Sequence, residues 1–234
     1  MIRKLALRLP GAAEGSLAGG RPIRLLAVSD ETDRVFDFES NREALRPLDA
    51  ILGGGDLDPD YLCFLADAFR VPLFYVLGNH DRGANWERRD SQLPGRLDGR
   101  VEHVAGITIA GLSWPGGSER NRAARDDLGA WSQVISLTLK SAVGRRPLIV
   151  LSHVPPRGLG DTPEDPYHRG FSAYRWLLRR LSPVAWLHGH TALAGASGWR
   201  IDWRGTTLAN VTGAVLVEIT GGEGRVPDSR QVRA

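Results

Sequence analysis

Residues 71–81 read VPLFYVLGNHD, an apolar run that ends in glycine, asparagine, histidine and aspartate. The run is typical of a buried strand, and the tetrapeptide Gly78-Asn79-His80-Asp81 follows at its carboxyl end. Open α/β sheets place their ligand sites at the carboxyl ends of the strands. An amide oxygen, an imidazole and a carboxylate at this position therefore indicate a metal-binding or catalytic site.

Four other predicted strands also end in polar residues. These ends are Ser29-Asp30, Gly55-Asp56, Ser152-His153 and Gly189-His190. A single carboxylate after a strand is most often a helix N-cap or a turn residue. Five such ends converge on one rim if the strands are neighbours in one sheet. Their mixture of carboxylate, amide and imidazole groups suits divalent ions such as Mn²⁺, Fe²⁺ or Zn²⁺.

The remaining pattern predicts one α/β domain made of two packed mixed β-sheets flanked by helices. The predicted helices cover Arg42–Leu48, Pro59–Phe69 with Asp58 as N-cap, Asp126–Val143 and Ala173–Leu181. The predicted strands cover residues 2–9, Ile23–Ser29, Ala50–Gly53, Leu73–Leu77, Leu148–Ser152 and Val184–His188. We also expect a hairpin over Val101–Leu112 and two antiparallel strands within Thr206–Thr220. Residues 1–22 are expected to form a strand and loop extension, 23–220 the domain and 221–234 a flexible tail.

Composition narrows the class of protein. The 234 residues are 42% apolar and 24% charged, which is ordinary for a globular protein. The formal charge of only +3 argues against a nucleic-acid partner. The single cysteine, Cys63, excludes a disulfide within the chain and favours a cytoplasmic location. Arg8 and Pro10 interrupt any signal-peptide core, and no apolar run is long enough to span a membrane.

In their order along the chain, these motifs resemble the calcineurin-like metallophosphoesterases. The resemblance rests on Asp30, Gly55-Asp56, Gly78-Asn79-His80-Asp81, His153 and Gly189-His190, and covers residues 23 to 219. It implies a four-layer αββα fold and a two-metal site that hydrolyses phosphoesters. The loop from His153 to Gly170 is similar to one found in a bacterial and metazoan branch of that family.

The resemblance also implies a role for each residue of these motifs. One metal would be held by Asp56, Asn79, His153 and His190. Asp56 would bridge to a second metal that Asp30 also binds. His80 would donate a proton to the leaving oxygen, oriented by Asp81.

The chain departs from the family pattern at two positions. Thr32 and Ala192 stand where the family usually has histidines, and both missing imidazoles belong to the metal held by Asp30. This pattern indicates that the second subsite is weak, remodelled or empty. The candidate substitutes are Glu31, Asp33 and His188, although a strand histidine beside a site is more often a packing or supporting residue.

Four further side chains are candidates for substrate contact. They are Arg82, Arg157, His168 and Arg169. The alternative for each is a solvated position in an exposed loop.

The sequence thus predicts a metal-dependent phosphoesterase acting on a small phosphodiester or phosphomonoester. Its cofactor would be one or two divalent ions of Mn, Fe or Zn. The alternative is a catalytically impaired member of the same fold that binds metal or phosphate.

Overall fold

The computed structural model describes residues 2–10, 21–89, 93–116, 128–141, 146–193 and 198–222. The loop expected at 11–20, the outer ends of the helix expected over Asp126–Val143 and the tail from 223 onward lie outside these ranges. No helix within the described ranges is long and apolar enough to cross a bilayer.

Eleven strands and five α-helices alternate along the described parts of the chain. The first half contains β1 (Arg3–Pro10), β2 (Ile23–Ser29), a 3-10 turn (Arg34–Asp37), α1 (Glu39–Leu45), β3 (Ala50–Gly53), α2 (Pro59–Phe69), β4 (Leu73–Tyr75) and α3 (Ala84–Arg89). The second half contains β5 (Val101–Val104), β6 (Ile107–Leu112), α4 (Leu128–Ser141), β7 (Leu148–Ser152), α5 (Ser172–Leu181), β8 (Ala185–His188), β9 (Arg200–Trp203), β10 (Thr206–Asn210) and β11 (Gly213–Gly222).

The strands form two mixed sheets, as predicted. The first has the order β1-β11-β2-β3-β4 and the second β5-β6-β7-β8-β10-β9. In β2, Leu25 and Ala27 enter the core between the sheets, whereas Leu26 and Val28 pack toward α1 and α2. Because both faces of such strands are covered, their sequences are continuous apolar runs. Helices α4 and α5 cover the second sheet and complete four layers.

Local signals explain several element boundaries. Asp58 caps α2 by accepting a hydrogen bond from Asp60 N at 2.8 Å, and Pro59 occupies the first helical turn, as predicted. Helix α1 begins earlier than expected and ends at Leu45, because the residue before Pro47 disfavours helical geometry. The strand expected over residues 2–9 is β1, which lies at the edge of the first sheet and pairs with β11 from Arg3 to Pro10.

The prediction for Thr206–Thr220 needs correction. Both strands exist, but β10 pairs with β8 and β9 in the second sheet, whereas β11 pairs with β1 and β2 in the first. Val211 and Thr212 carry the chain from one sheet to the other. The short elements α3 and β9 had not been predicted, since neither is long enough to show a clear periodicity.

The five polar strand ends do not belong to a single sheet but come from both sheets. Strands β2, β3 and β4 are parallel neighbours in the first sheet, and β7 and β8 are parallel neighbours in the second. Contacts between the two sheets join these ends: His153 Nδ1 lies 2.9 Å from Gly54 O, and His190 N donates to Asp30 Oδ1 at 3.0 Å. The site therefore lies at the edge where the two sheets meet.

Candidate metal centre

Three of the expected ligands follow strands in an unusual backbone conformation. The φ angles of Asp30, Asp56 and His190 are 61°, 55° and 67°, in the left-handed region. Non-glycine residues adopt this region at a cost of about 1–3 kcal/mol each, and such residues cluster at functional sites. The sharp turns aim all three side chains back over the strand ends.

The protonation of two histidines follows from their hydrogen bonds to backbone carbonyls. His153 Nδ1 lies 2.9 Å from Gly54 O, and His190 Nε2 lies 2.7 Å from Tyr167 O. A carbonyl oxygen only accepts, so each of these nitrogens carries the proton. The other nitrogen of each neutral ring, His153 Nε2 and His190 Nδ1, then presents a lone pair. Metal-bound histidines are oriented in this way by outer hydrogen bonds.

These lone pairs converge with two side-chain oxygens. His153 Nε2 lies 3.2 Å from His190 Nδ1, 3.2 Å from Asp56 Oδ2 and 3.0 Å from Asn79 Oδ1. Asp56, His153 and His190 each offer a ligand atom within 4.8 Å of the others. Ligands about 2.0–2.2 Å from one ion and at right angles to each other lie about 3 Å apart. The four side chains therefore fit a divalent cation, which would remove the repulsion between their lone pairs.

The electrostatics of the cluster also favour a bound cation. Burial alone raises the pKa of Asp56, but the hydrogen bond and charge of His153 outweigh it and lower the pKa below its ordinary value. Burial lowers the pKa of His153, yet the bond to Asp56 and the charges of Asp56 and Asp30 raise it overall. Asp56 is thus held as a carboxylate, and the buried His153 imidazole lies where a positive charge is favoured.

The sequence of residues 23–193 matches the family described as calcineurin-like phosphoesterase. The chain belongs to the calcineurin-like phosphoesterase family. This family binds divalent metals and acts on phosphoesters, which agrees with the ligand cluster. No curated protein sequence matches the chain.

The likeness to one solved structure agrees with the fold of the family. TT1561 of Thermus thermophilus is 16% identical, with a TM-score of 0.60 over 82% of this chain and 90% of that one. Vacuolar Protein Sorting 29 from Cryptosporidium parvum is 14% identical, with a TM-score of 0.42 over 82% of this chain and 75% of that one. The first of these likenesses shows the αββα architecture.

Two glycines of the family motifs let the loops approach closely. A Cβ on Gly78 would lie 2.1 Å from Asp56 Oδ1, and one on Gly189 would lie 2.1 Å from Asp30 Oδ2. Neither distance is compatible with a side chain at the glycine position. These glycines are therefore needed for the ligands to take their positions.

Asp81 holds the ligand loops together through the backbone. Its Oδ2 accepts hydrogen bonds from Asp56 N and Gly78 N at 2.7 Å each, and its Oδ1 accepts one from Leu57 N at 3.2 Å. Burial raises the pKa of Asp81, against the opposing effect of these backbone donors. The contact expected between Asp81 and the His80 imidazole is not formed within the described residues. His80 instead donates its backbone N–H to Asp56 Oδ1 at 2.8 Å.

The carboxylate of Asp30 has protein partners of its own. It accepts the His190 N–H at 3.0 and 3.1 Å and the Thr212 hydroxyl at 3.2 Å. Thr32 and Ala192, at the positions where the family resemblance leads us to expect histidines, are exposed. Thr212 could not have been identified from the sequence, because its contact with Asp30 depends on the crossing of β10 and β11 between the sheets.

None of the three candidate substitute ligands belongs to the cluster formed by the described residues. Glu31 is exposed, and Asp33 caps the 3-10 turn by accepting from Val35 N at 2.9 Å. His188 is buried, with its Nδ1 3.1 Å from Gly189 O, and burial lowers its pKa to about 4. A buried neutral imidazole of this kind supports the packing of the strand end.

A cavity of about 540 Å³ opens over the cluster. Its described lining consists of Asp30, Asp56, Asn79, His80, Trp114, Tyr167, His168 and His190. The rings of Trp114 and His168 lie 5.9 and 5.2 Å from the ring of His190. Of these wall residues, Tyr167 had no sequence signal, because its contact with His190 is made by the backbone carbonyl.

The loop that carries His168 is braced by its own residues. His168 Nδ1 is hydrogen-bonded to Asp165 Oδ2, and this bond lowers the pKa of Asp165. Arg157 and Arg169 donate to the carbonyls of Gly170 and Pro163 at 3.1 and 2.9 Å, and neither lines the 540 Å³ cavity among the described residues.

Arg82 is exposed and lines a second cavity of about 410 Å³, whose lining also includes Trp114. Of the four candidate substrate residues, His168 is thus the one that the structure brings to the cavity over the ligand cluster.

Proposed function

We propose that this protein is a metal-dependent phosphoesterase whose metal is held by Asp56, Asn79, His153 and His190. The observation that carries the proposal is the convergence of three ligand atoms on the His153 Nε2 lone pair: His190 Nδ1, Asp56 Oδ2 and Asn79 Oδ1 lie 3.0–3.2 Å from it. Mn²⁺, Fe²⁺ and Zn²⁺ accept this mixture of oxygen and nitrogen ligands. Such an ion supplies a Lewis acid that polarises a phosphoryl oxygen and lowers the pKa of water.

Other residues of the chain donate the proton, support the ligand loops and position the leaving group. His80 lines the cavity with an exposed imidazole, from which it donates a proton to the leaving oxygen. The Asp81 carboxylate accepts hydrogen bonds from Asp56 N and Gly78 N. It thereby fixes the position of the ligand loops relative to His80. Trp114, Tyr167 and His168 form the wall that positions the leaving group.

We further propose that a single ion is bound, since the subsite of Asp30 lacks imidazoles. Its carboxylate is satisfied by the His190 amide and the Thr212 hydroxyl, and neither Glu31 nor His188 lines the cavity among the described residues. The metal at the four-ligand position would therefore act without the symmetric two-metal clamp.

The test is hydrolysis of bis(p-nitrophenyl) phosphate and p-nitrophenyl phosphate by purified protein supplied with Mn²⁺, Fe²⁺, Ni²⁺ or Zn²⁺. We expect turnover that depends on the added metal and is higher for the diester. Absence of turnover with every metal would exclude the proposal.

The loss of two ligand positions motivates a second candidate, a metal- or phosphate-binding protein of the same fold that has lost catalysis. It predicts one tightly bound ion and saturable nucleotide binding with no turnover. The same hydrolysis assay, paired with metal analysis, separates the two candidates.

A further inference from the structure

The second cavity, of about 410 Å³, lies at the edge of the fold that carries the metal centre. Strands β6 and β7 are parallel, and Leu112 is paired with Ser152 near their carboxyl ends. Trp114 therefore leaves the second sheet at the same end as His153. Trp114 N also donates to Leu77 O at 2.7 Å, which joins this end to the loop after β4. Both Leu77 and Trp114 line the second cavity, so the strand register places it beside the metal-bearing strand ends.

The loop after β4 contributes side chains to both cavities. Asn79 and His80 line the cavity over the ligand cluster, whereas Asp81 and Arg82 line the second cavity. Trp114 lines both. The two cavities are therefore neighbours that share a wall, and a single substrate that extends past Trp114 can occupy both.

The second cavity carries more positive than negative charge. Arg82 is exposed, and its guanidinium forms no ion pair with a carboxylate in the parts of the chain that the structure describes. Arg96 also lines the cavity, and its ion pair with Asp98, at 3.4 Å, is one between partly exposed groups that contribute little. Asp81, the acid of the described lining, already accepts three backbone N–H groups. An anionic group is therefore the ligand that this cavity favours.

The hydrogen-bond donors of the cavity fit a phosphate group. The guanidinium groups of Arg82 and Arg96 each present several N–H donors in a plane, which suits pairs of phosphate oxygens. Ser113 also belongs to the lining and is only 2% exposed. Its Oγ accepts from Leu77 N at 3.0 Å, and no described residue accepts its hydroxyl proton. A phosphate offers three strong acceptor oxygens to these three side chains, whereas a carboxylate offers two.

The second cavity lies on the side where the leaving group departs. His80, the proposed proton donor to the leaving oxygen, precedes Arg82 by two residues, and Arg82 N donates to His80 O at 2.7 Å. Because consecutive Cα atoms are about 3.8 Å apart, the Cα atoms of His80 and Arg82 lie within about 8 Å of each other. The part of the substrate that departs with the leaving oxygen is therefore within reach of the Arg82 guanidinium.

We propose that the second cavity binds a further phosphate group, carried by the part of the substrate that leaves. This inference rests on the proposed phosphoesterase function and names its substrate class, small phosphoesters that carry a second phosphate. In the reaction, water adds to phosphorus over the ligand cluster as the P–O bond to the leaving oxygen breaks. The leaving oxygen takes a proton from His80, which solvent replaces. The products are the released phosphate or phosphomonoester and an alcohol that still carries the second phosphate.

The test compares two phosphonates that cannot be hydrolysed, tetramethylene bisphosphonate and butylphosphonate, by calorimetric titration of the Mn²⁺-loaded protein. The bisphosphonate should bind about tenfold or more tightly, as expected for an additional hydrogen-bonded contact between charged groups. Arg82→Ala should remove most of this preference. Arg82→Lys should retain part of it, because lysine keeps the charge but not the planar pair of donors.

The matched control is Arg8→Ala, which makes the same change of net charge at an exposed position of β1, outside the lining of both cavities. This variant should show the preference of the unmodified protein. Equal affinities for the two phosphonates, a preference that survives Arg82→Ala, or an equal loss in the Arg8→Ala variant would overturn the proposal. Hydrolysis of bis(p-nitrophenyl) phosphate tests the proposed function separately, since its leaving groups carry no phosphate and phosphonate binding requires no turnover.

Discussion

Asp81→Asn separates two roles for the aspartate of the Gly78–Asp81 motif. In the structure the Asp81 carboxylate accepts three backbone N–H groups, from Asp56, Leu57 and Gly78. Asparagine keeps one oxygen for two of these donors but places an NH₂ group against the third. The loss of one charge-assisted hydrogen bond and the weakening of two others should lower the free energy of unfolding by about 3 kcal/mol.

The same change should loosen the turn that carries Asp56. Replacement of groups that support metal ligands typically lowers metal affinity by about 10- to 100-fold. We therefore expect urea denaturation to show reduced stability, and calorimetric titration with Mn²⁺ or Zn²⁺ to show affinity lowered within that range.

The matched control is His80→Asn. The His80 imidazole makes no hydrogen bond to the described residues, so its removal should leave stability and metal affinity close to those of the unmodified protein. Turnover should fall by about 10²- to 10⁴-fold if His80 is the proton donor. If Asp81→Asn instead retained normal stability and metal affinity and lost only turnover, the backbone role would be refuted in favour of an orienting contact with His80.

Two further variants test the geometry of the site. Gly189→Ala should cost about 1–3 kcal/mol of stability, because its Cβ would lie 2.1 Å from the Asp30 carboxylate; Gly222→Ala, whose nearest contact is 3.9 Å away, is the control, and equal melting temperatures for the two would contradict the packing argument. Thr32→His/Ala192→His, at two exposed positions, should raise the metal content from one ion to two by elemental analysis. An unchanged content would mean that more than the two imidazoles has been lost from this subsite.

The sheets and their polar ends could be predicted because the responsible signals are local. The apolar runs within Ile23–Ser29 and Leu148–Ser152 indicate strands buried on both faces, and the polar residues that follow them mark the edge of the proposed site. The order of the strands could not be derived in the same way. Strands β10 and β11 are separated by two residues yet belong to different sheets, since pairing depends on long-range packing.

The residues proposed as ligands could be selected from residue type and family resemblance, whereas the groups that support them could not. Asp56 and His153 are chemically distinctive, and the family resemblance gives them roles. The bonds that fix the tautomers of His153 and His190 come from the carbonyls of Gly54 and Tyr167. Every residue has a carbonyl, so no sequence pattern marks these two.

Metal content is the measurement that tests the account most directly. Elemental analysis of protein equilibrated with Mn²⁺ or Zn²⁺ and then desalted should give one ion per chain, and His153→Ala should abolish it because Nε2 lies at the centre of the ligand cluster. Folding of the variant should be verified by circular dichroism. Absence of bound metal in the unmodified protein, or an equal amount in a folded His153→Ala variant, would contradict the assignment of this cluster as the metal centre.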